Sequence, residues 1–407
     1  MKILVALSGG VDSAVAARLL QKEKHQLIGI HLQMHGKSLE EDSAREVATR
    51  LRIPFYVLNF EKVFRREVID YFLKSYAKGI TPNPCVICNP KIKFGELLKK
   101  MRELKCKKIA TGHYARIRGG KLLRGKDEEK DQSYFLSRLT SEKLKQIIFP
   151  LGDLQKSEVK KLAKKFGFTQ QAKKKESASA CFLEGKDVRE FLMENLPKKA
   201  LKPGEIKTLS GKIVGKHLGL PLYTIGQRRG VDLGGMSNPN YVVGFEKKKN
   251  VLLVGENKEL FGKKLRAKNL SWVSKPPRDG EKILAQIRYR SAATPATIHL
   301  KKTVAEVEFE TPQRAITPGQ TVAFYRGEIC LGSGFISGFL LNNSISTATR
   351  QQFRNITSHS CAKFNFLWSA NTQHIRYYSK LSPDCICWLI KHPMIFRLEN
   401  CCIVNDS

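Results

Sequence analysis

The sequence predicts an α/β fold: a doubly wound parallel sheet in the N-terminal part, then a small β-rich middle domain and a C-terminal antiparallel β-barrel. Three patterns predict it. From Met1 to about Phe191, short apolar runs alternate with helical stretches, the mark of repeated β-α units. From Pro203 to Gly338, apolar and polar residues alternate singly between glycine turns. All 30 glycines lie at or before Gly338, so the last 69 residues lack the turn chemistry of everything before them.

The run Ile3-Leu4-Val5-Ala6-Leu7 reads as a strand buried on both faces. Ser8-Gly9-Gly10-Val11-Asp12-Ser13 turns the chain, and Ala14 to Leu20 follows as a helix. Gln26 to Leu32, Phe55 to Leu58 and Lys108 to Thr111 are strand-like, while Ala44, Val47, Ala48 and Leu51 keep helical spacing. Ser157 to Gly167 reads as a helix capped by Ser157, with Val159, Leu162, Ala163 and Phe166 on one stripe. Its Lys160, Lys161, Lys164 and Lys165 fall mostly off the stripe, and a solvated face is the simpler reading than an RNA contact. Further on, Ile283, Ala285, Ile287 and Tyr289 alternate with Leu284, Gln286, Arg288 and Arg290, and Val307 and Phe309 alternate with Glu306, Glu308 and Glu310. On that pattern Arg288 and Arg290 share one strand face and Tyr289 takes the other. A break near Gly262 to Arg266 separates the two β-rich parts. The expected domains are therefore residues 1–197, 198–264 and 265–338, with 339–407 as an atypical tail. That tail holds Cys361, Cys385, Cys387, Cys401, Cys402 and His392 but no C-x-x-C pair, and reads as an extension without an established fold rather than a metal cluster.

With 407 residues and 42% hydrophobic content the chain has enough material for two or three buried cores. Lys and Arg number 72 against 37 acidic residues, a formal charge of +35, of which residues 1–338 keep +31. Charge on this scale attracts a polyanion, and nucleic acid is the first candidate. The absence of an apolar run of 18 residues, or of a basic helix with a wide apolar face, argues against a membrane. The chain opens on a strand rather than a leader, and its ten cysteines are widely spread, which together suggest a cytoplasmic protein with reduced thiols.

Two segments carry chemistry. A strand, a glycine turn and a helix start form phosphate-binding geometry, because unpaired N–H groups and the positive end of the helix dipole face an anion. Ser8 to Ser13 has this form, yet it fits neither G-x-x-x-x-G-K-[ST] nor G-x-G-x-x-G, and a plain Gly-Gly turn capped by Ser or Asp is the bland alternative. Thr81-Pro82-Asn83-Pro84-Cys85-Val86-Ile87-Cys88-Asn89 is a proline-braced loop with two cysteines, followed by a helical stretch from Lys91. A helix start with Lys91 and Lys93 nearby is expected to lower a thiol pKa and make it reactive. Cys181, after the basic run Lys173-Lys174-Lys175, reads by itself as a small buried residue.

SGGVDS resembles the PP-loop of the ATP pyrophosphatase superfamily, which has an adenine nucleotide alpha hydrolase-like fold. In order along residues 2 to about 337 come SGGVDS, TPNPCVICN with IKFGEL, ATGHYAR, KDQSYFL, FPLG, ACFLEG, YTIGQRRG, ITPGQ and CLGSG, and with these the chain resembles the tRNA-specific 2-thiouridylases. The resemblance implies ATP and magnesium as cofactors and the anticodon stem-loop of tRNA as substrate. It implies that sulfur from a donor protein or persulfide relay is placed at carbon 2 of the wobble uridine after its carbonyl is adenylated. It places ATP on Ala6, Leu7, Ser8, Gly9, Gly10, Val11, Asp12, Ser13, Leu32 and Gly112, with Asp12 as a magnesium ligand. Cys181 would carry the persulfide, and Cys88 would attack it or close a transient disulfide with Cys181. Asn83, Pro84, Cys85, His113, Asp131, Gln132, Ser133, Arg288, Tyr289 and Gln320 would contact RNA. Read from residues alone, Gln320 shapes a hairpin and His113 is an interior histidine.

The chain also departs from the family pattern. Cys85 stands where the family has an acidic residue, which leaves two readings: an acid-base or redox partner, or an iron–sulfur cluster on Cys85, Cys88 and Cys181. Ser179-Ala180-Cys181-Phe182 replaces G-I-C-F, and Gln33-Met34-His35-Gly36 lacks the usual tryptophan. A PP-loop synthetase or amidotransferase and a non-catalytic RNA-binding protein are the competing classes. Neither needs paired thiols in a basic loop.

Overall fold

The computed structural model describes residues 1–36, 39–173, 180–231 and 240–339. The chain divides into two units, Met1–Ser346 and Thr347–Ser407, and the second lies wholly outside the described residues. So do the tail cysteines, His392, Lys174, Lys175 and Ser179.

The N-terminal sheet is parallel throughout: Lys2–Ala6 (β1), Gln26–Gln33 (β2), Phe55–Asn59 (β3), Lys108–Ala110 (β4) and Ile147–Ile148 (β7), in the order β3-β2-β1-β4-β7. β1 is central and covered on both sides, which is why its run is apolar without interruption. Leu4 joins Ile28, Phe94, Leu97 and Ile109 in one core, and Ile3 and Val5 join Ala14, Ala17, Leu20 and Val47 in the other. The helices Val11–Lys22 (α1) and Leu39–Leu51 (α2) supply the second core, with Ala44, Val47, Ala48 and Leu51 facing inward as their spacing requires. The strand order reverses between β1 and β4. In such a sheet ligands bind beyond the carboxyl ends of the strands at that switch point.

The middle sheet joins Gly204–Thr208 (β8), Ile213–His217 (β9), Tyr241–Glu246 (β10) and Val251–Gly255 (β11) in the order β10-β11-β8-β9. Phe261–Trp272 (β12), Glu281–Gln286 (β13), Thr294–Lys301 (β14), Val304–Arg314 (β15), Thr321–Arg326 (β16) and Ile329–Phe339 (β17) form the antiparallel barrel, closed by pairing of β12 with β17. Val307 and Phe309 are buried there while Glu308 and Glu310 are exposed, as the alternation predicts.

A hairpin from the N-terminal half, Ala115–Arg118 (β5) and Lys121–Arg124 (β6), extends the barrel sheet beyond β17. Arg116 ties it down by donating to Glu328 Oε1 at 2.6 Å, and the Arg124 N–H donates to the Glu328 carbonyl at 2.9 Å.

Three sequence expectations need correction. The break at Gly262 to Arg266 falls inside β12, where a register shift between Gly262 and Lys264 bends the strand; the change of sheet comes earlier, at Asn257–Leu260. β13 stops at Gln286, because the Gln286 side chain donates to the Tyr289 and Ser291 carbonyls at 2.9 Å and closes a turn, so Arg288, Tyr289 and Arg290 have no alternating strand faces. The helix predicted from Ser157 runs Lys156–Lys165 and is capped at Gln155, whose N–H donates to Glu158 Oε2 at 2.7 Å.

Candidate active site

Beyond β1 the glycine turn is held by its own hydroxyls. The Ser8 N–H donates to Ser13 Oγ at 3.1 Å, Ser13 Oγ donates to the Gly10 carbonyl at 3.0 Å, and Ser43 of α2 donates to the Gly9 carbonyl at 2.9 Å. His31 on β2 bonds the Leu7 carbonyl at 3.0 Å. Gly9 has φ +73°, and a methyl there would lie 2.3 Å from the Glu40 carbonyl oxygen, so the position demands glycine. Gly10 is the N-cap of α1 and offers no side chain, which leaves the first-turn N–H groups for an anion. Gly112, after β4, packs so close that a Cβ would be 2.8 Å from the Asp12 and Ser13 backbone. The turn and Gly112 thus line one crevice at the switch point. Ala6 ends β1 and Leu32 lies near the end of β2, both partly buried against one core, and Val11 is buried in the other.

Asp12 is gripped by residues that motif reading missed. Lys156 Nζ donates to Asp12 Oδ1 at 2.7 Å and Oδ2 at 2.8 Å, and Tyr114 OH donates to Oδ1 at 2.8 Å. A carboxylate has about four lone-pair sites, so capacity remains for a hard cation shared with phosphates. Asp12 therefore suits magnesium as a single protein carboxylate.

The two cysteines of the proline loop lie on a helix, not before one. Asn83 caps it by accepting the Cys85 N–H at 3.2 Å, Pro84 fills its first position, and the helix Pro84–Cys88 runs on into π-helical turns at Asn89–Glu96. Pro90 has no N–H to continue the α pattern, which accounts for the widening. Lys91 turns outward to pair with Glu67 rather than the thiols. Cys88 is buried in the apolar core that also holds Phe72, Ile92, Phe182 and Phe191, and burial pushes its thiol up to about 12. Burial raises Cys85 and Cys181 as well, although Cys181 itself sits at the surface. Lys93 pulls all three down, but desolvation wins. The expected low-pKa thiol is thus corrected: the positive charge is present and the apolar shell outweighs it.

Cys88 and Cys181 are free thiols; negative charge on Cys181 or Cys85 disfavours the Cys88 thiolate, and Cys85 and Glu40, whose carbonyl abuts Gly9, act in the same way on Cys181. Phe182, next to Cys181 in the chain, shares one core with Cys88, and Glu40 brings Cys181 within electrostatic reach of the phosphate turn. Among the described residues no group of three or more His, Cys, Asp or Glu side chains is arranged to hold a metal ion, so the geometry does not support a cluster on Cys85, Cys88 and Cys181.

Of the expected RNA contacts, several are spent inside the protein. Asp131 accepts from the Gly125 and Ser133 N–H groups at 2.9 Å and from Ser133 Oγ at 2.8 Å, and both residues are buried. Gln132 accepts the Tyr114 N–H at 3.0 Å. His113 bonds Thr111 at 2.7 Å between Phe94 and Phe149, and burial holds its pKa well below 6.5, so it is a neutral interior imidazole. Arg288 donates to the Ala315 carbonyl at 2.8 Å and Thr317 Oγ1 at 2.7 Å, and Tyr289 lies on Phe135 at 4.2 Å between ring centres.

Gln320 does more than shape a hairpin. Its Nε2 donates to the Thr81 carbonyl at 3.1 Å, and the Thr81 N–H donates to the Pro318 carbonyl at 3.1 Å. Gly319 has φ +92°, and a Cβ there would lie 2.1 Å from Ile80. From the middle domain, Thr224 meets Thr81 at 3.1 Å between hydroxyls. The barrel and the middle domain together clamp the loop that presents Asn83, Pro84 and Cys85.

Family models match in the same order as the sheets: a tRNA methyl transferase HUP domain over residues 1–185, a tRNA methyl transferase PRC-barrel domain over 189–256 and an aminomethyltransferase beta-barrel domain over 262–336. The tRNA-specific 2-thiouridylase MnmA of Bacillus licheniformis is 42% identical over 355 residues, covering 82% of this chain and 94% of that protein. That of Carboxydothermus hydrogenoformans is 43% identical over 358 residues, covering 82% and 97%. The chain belongs to the tRNA-specific 2-thiouridylase family. Among solved structures, a 4-thiouridine synthetase–RNA complex with bound ATP is similar at a TM-score of 0.32 and 18% identity, covering 48% of this chain and 50% of that one. Family members of this type use the HUP domain for ATP, and here that domain is the one carrying the phosphate turn and both thiols. No helix among the described residues is long and apolar enough to cross a membrane.

Proposed function

We propose that this chain performs ATP-dependent 2-thiolation of the wobble uridine of tRNA in the cytoplasm, with the anticodon stem-loop as substrate. The observation that supports this best is that Phe182, which follows Cys181, packs in the same core as Cys88, while Glu40, within electrostatic reach of Cys181, abuts the phosphate turn. Uracil O2 attacks the α-phosphorus of ATP, the bond to the β-phosphate breaks, and pyrophosphate leaves with the electron pair. Magnesium, held by Asp12 and the phosphates, would supply charge neutralisation there.

The sulfur end runs on this chain's own cysteines. Cys181, at the surface, accepts sulfur as a persulfide from a donor protein or relay. The terminal sulfur attacks carbon 2 and AMP departs with the oxygen. The Cys88 thiolate then attacks the Cys181 sulfur, forming a Cys88–Cys181 disulfide and releasing the thiouridine, and an external dithiol restores both thiols. A uridine swung out of the anticodon stack would be met by Asn83, Pro84 and Cys85, which the clamp holds in place. We place the remaining tRNA contacts on Gln132, Arg288, Tyr289 and Gln320, which stay partly exposed, ahead of Asp131 and Ser133, which are buried, and His113, whose ring is desolvated. Steep weakening with salt is expected, as lysines and arginines displace phosphate counterions.

The test is Cys88→Ser and Cys181→Ser. Thiouridine in tRNA, measured by nucleoside mass spectrometry, should fall below about one-thousandth of wild type in both, with ATP binding within about twofold. Undiminished thiouridine in either variant overturns the reading.

A further inference from the structure

A site that binds triphosphate needs positive charge, and this phosphate turn has none of its own. Ser8 to Ser13 contains no lysine or arginine, and its one charged residue, Asp12, is acidic and would repel a phosphate. The charge that offsets Asp12 comes from 144 residues away. Lys156 is 8% exposed overall, and its side chain is 10% exposed against 32% for Asp12, so the ammonium lies beneath the carboxylate and faces it with both bonds.

Lysine is seldom buried unless paired, because stripping water from the ammonium costs several kcal/mol. Here its backbone is fixed as well. The Lys156 N–H donates to Asp127 Oδ2 at 2.7 Å, Asp127 also accepts the Lys130 N–H at 3.1 Å, and the Gln155–Glu158 cap sets the start of the helix at this residue. Tyr114 completes the grip on Asp12 and stacks near the ammonium, 5.7 Å from ring centre to Nζ. The helices beginning at Val11 and Lys156 pack together, so two helix N-termini flank the same carboxylate.

We propose that Lys156 is a positioning residue of the nucleotide site: by holding both oxygens of Asp12 it fixes that carboxylate and cancels the negative charge that Asp12 would otherwise turn on the phosphates. The proposal rests on the ATP-dependent reading above. As pyrophosphate leaves, its charge grows against a carboxylate already neutralised and aimed, so no side chain has to move to accommodate it.

The variants are Lys156→Gln, which keeps a hydrogen-bond donor for Asp12 and loses the charge, and Lys156→Arg, which restores it. Equilibrium dialysis with ATP in EDTA reads the charge without magnesium. Binding should weaken about tenfold or more in Lys156→Gln and recover most of the way in Lys156→Arg. In magnesium, tRNA-dependent pyrophosphate release should lose roughly 100-fold in kcat, while KM for tRNA stays within about twofold. Lys156→Gln that binds ATP in EDTA as wild type does, or that lowers the melting temperature and weakens ATP and tRNA alike, overturns the proposal. Wild-type protein that binds ATP yet releases no pyrophosphate with tRNA overturns the functional reading instead, and the EDTA measurement still decides the role of Lys156.

Discussion

At the phosphate turn, serine hydroxyls and backbone groups are joined by bonds of 2.9 to 3.1 Å, and the one carboxylate is held from two sides. Cys88, by contrast, is buried in an apolar core with Phe72, Phe182 and Phe191, and burial keeps its thiol neutral, while Cys181 sits at the surface. The first region is assembled for its ligand before the ligand arrives. The second is stored in an unreactive form, and the apolar shell around Cys88 has to open, or the substrate's charges have to enter it, before a thiolate forms. The contrast teaches that the phosphate turn is built on preorganised polar geometry and the cysteine centre on desolvation.

The comparison breaks most easily at Gly112. In Gly112→Ala the added methyl meets the Asp12 and Ser13 backbone at 2.8 Å, and ATP affinity by equilibrium dialysis should fall roughly 10- to 100-fold. Persulfide loading of Cys181, read by intact-protein mass spectrometry, should be unchanged; an equal loss there would mean that the two regions are not separable. A smaller effect is expected from the clamp. Gly319→Ala strains a left-handed residue against Ile80 and should lower tRNA thiolation about tenfold, with ATP affinity untouched and stability reduced by about 1–3 kcal/mol.

The smallest effect sharpens the contrast through pH. Cys88 has its folded pKa raised from an ordinary 9.0 to about 12, so its neutral form favours the fold. That contribution is fully present below pH 9 and drains away as pH rises through about 12. The melting temperature of wild type should therefore drop more between pH 9 and pH 11 than that of Cys88→Ala. Identical slopes would mean that the thiol is not desolvated.

How far the sequence carried the reading depended on the range of the interactions. β1, the glycine turn and α2 were legible because buried periodicity and a glycine turn are local properties, and Ala44, Val47, Ala48 and Leu51 point inward as spaced. The cysteines were legible as chemistry but not as electrostatics, since Lys93 is near in sequence whereas Phe182 and Phe191 arrive from far along the chain. Lys156 was passed over because its partner lies 144 residues away, although the run Gln155 to Glu158 held its capping signal in plain view. Arg288 and Tyr289 were misread as strand because alternation continued past the point where Gln286 turned back on the backbone.

The β5–β6 hairpin gives the molecule an indivisible character. Its residues come from the nucleotide half, but its outer neighbour is β17, and Arg116 and Arg124 fasten it to Glu328. A shortened chain that ended before the barrel would leave β6 as a raw ribbon edge, ready to pair with another copy, and would strip the support from Thr81. Natural truncations that survive as soluble proteins should therefore be rare in this lineage, and a gene fragment encoding only the first half is better suited to making aggregates than a miniature enzyme.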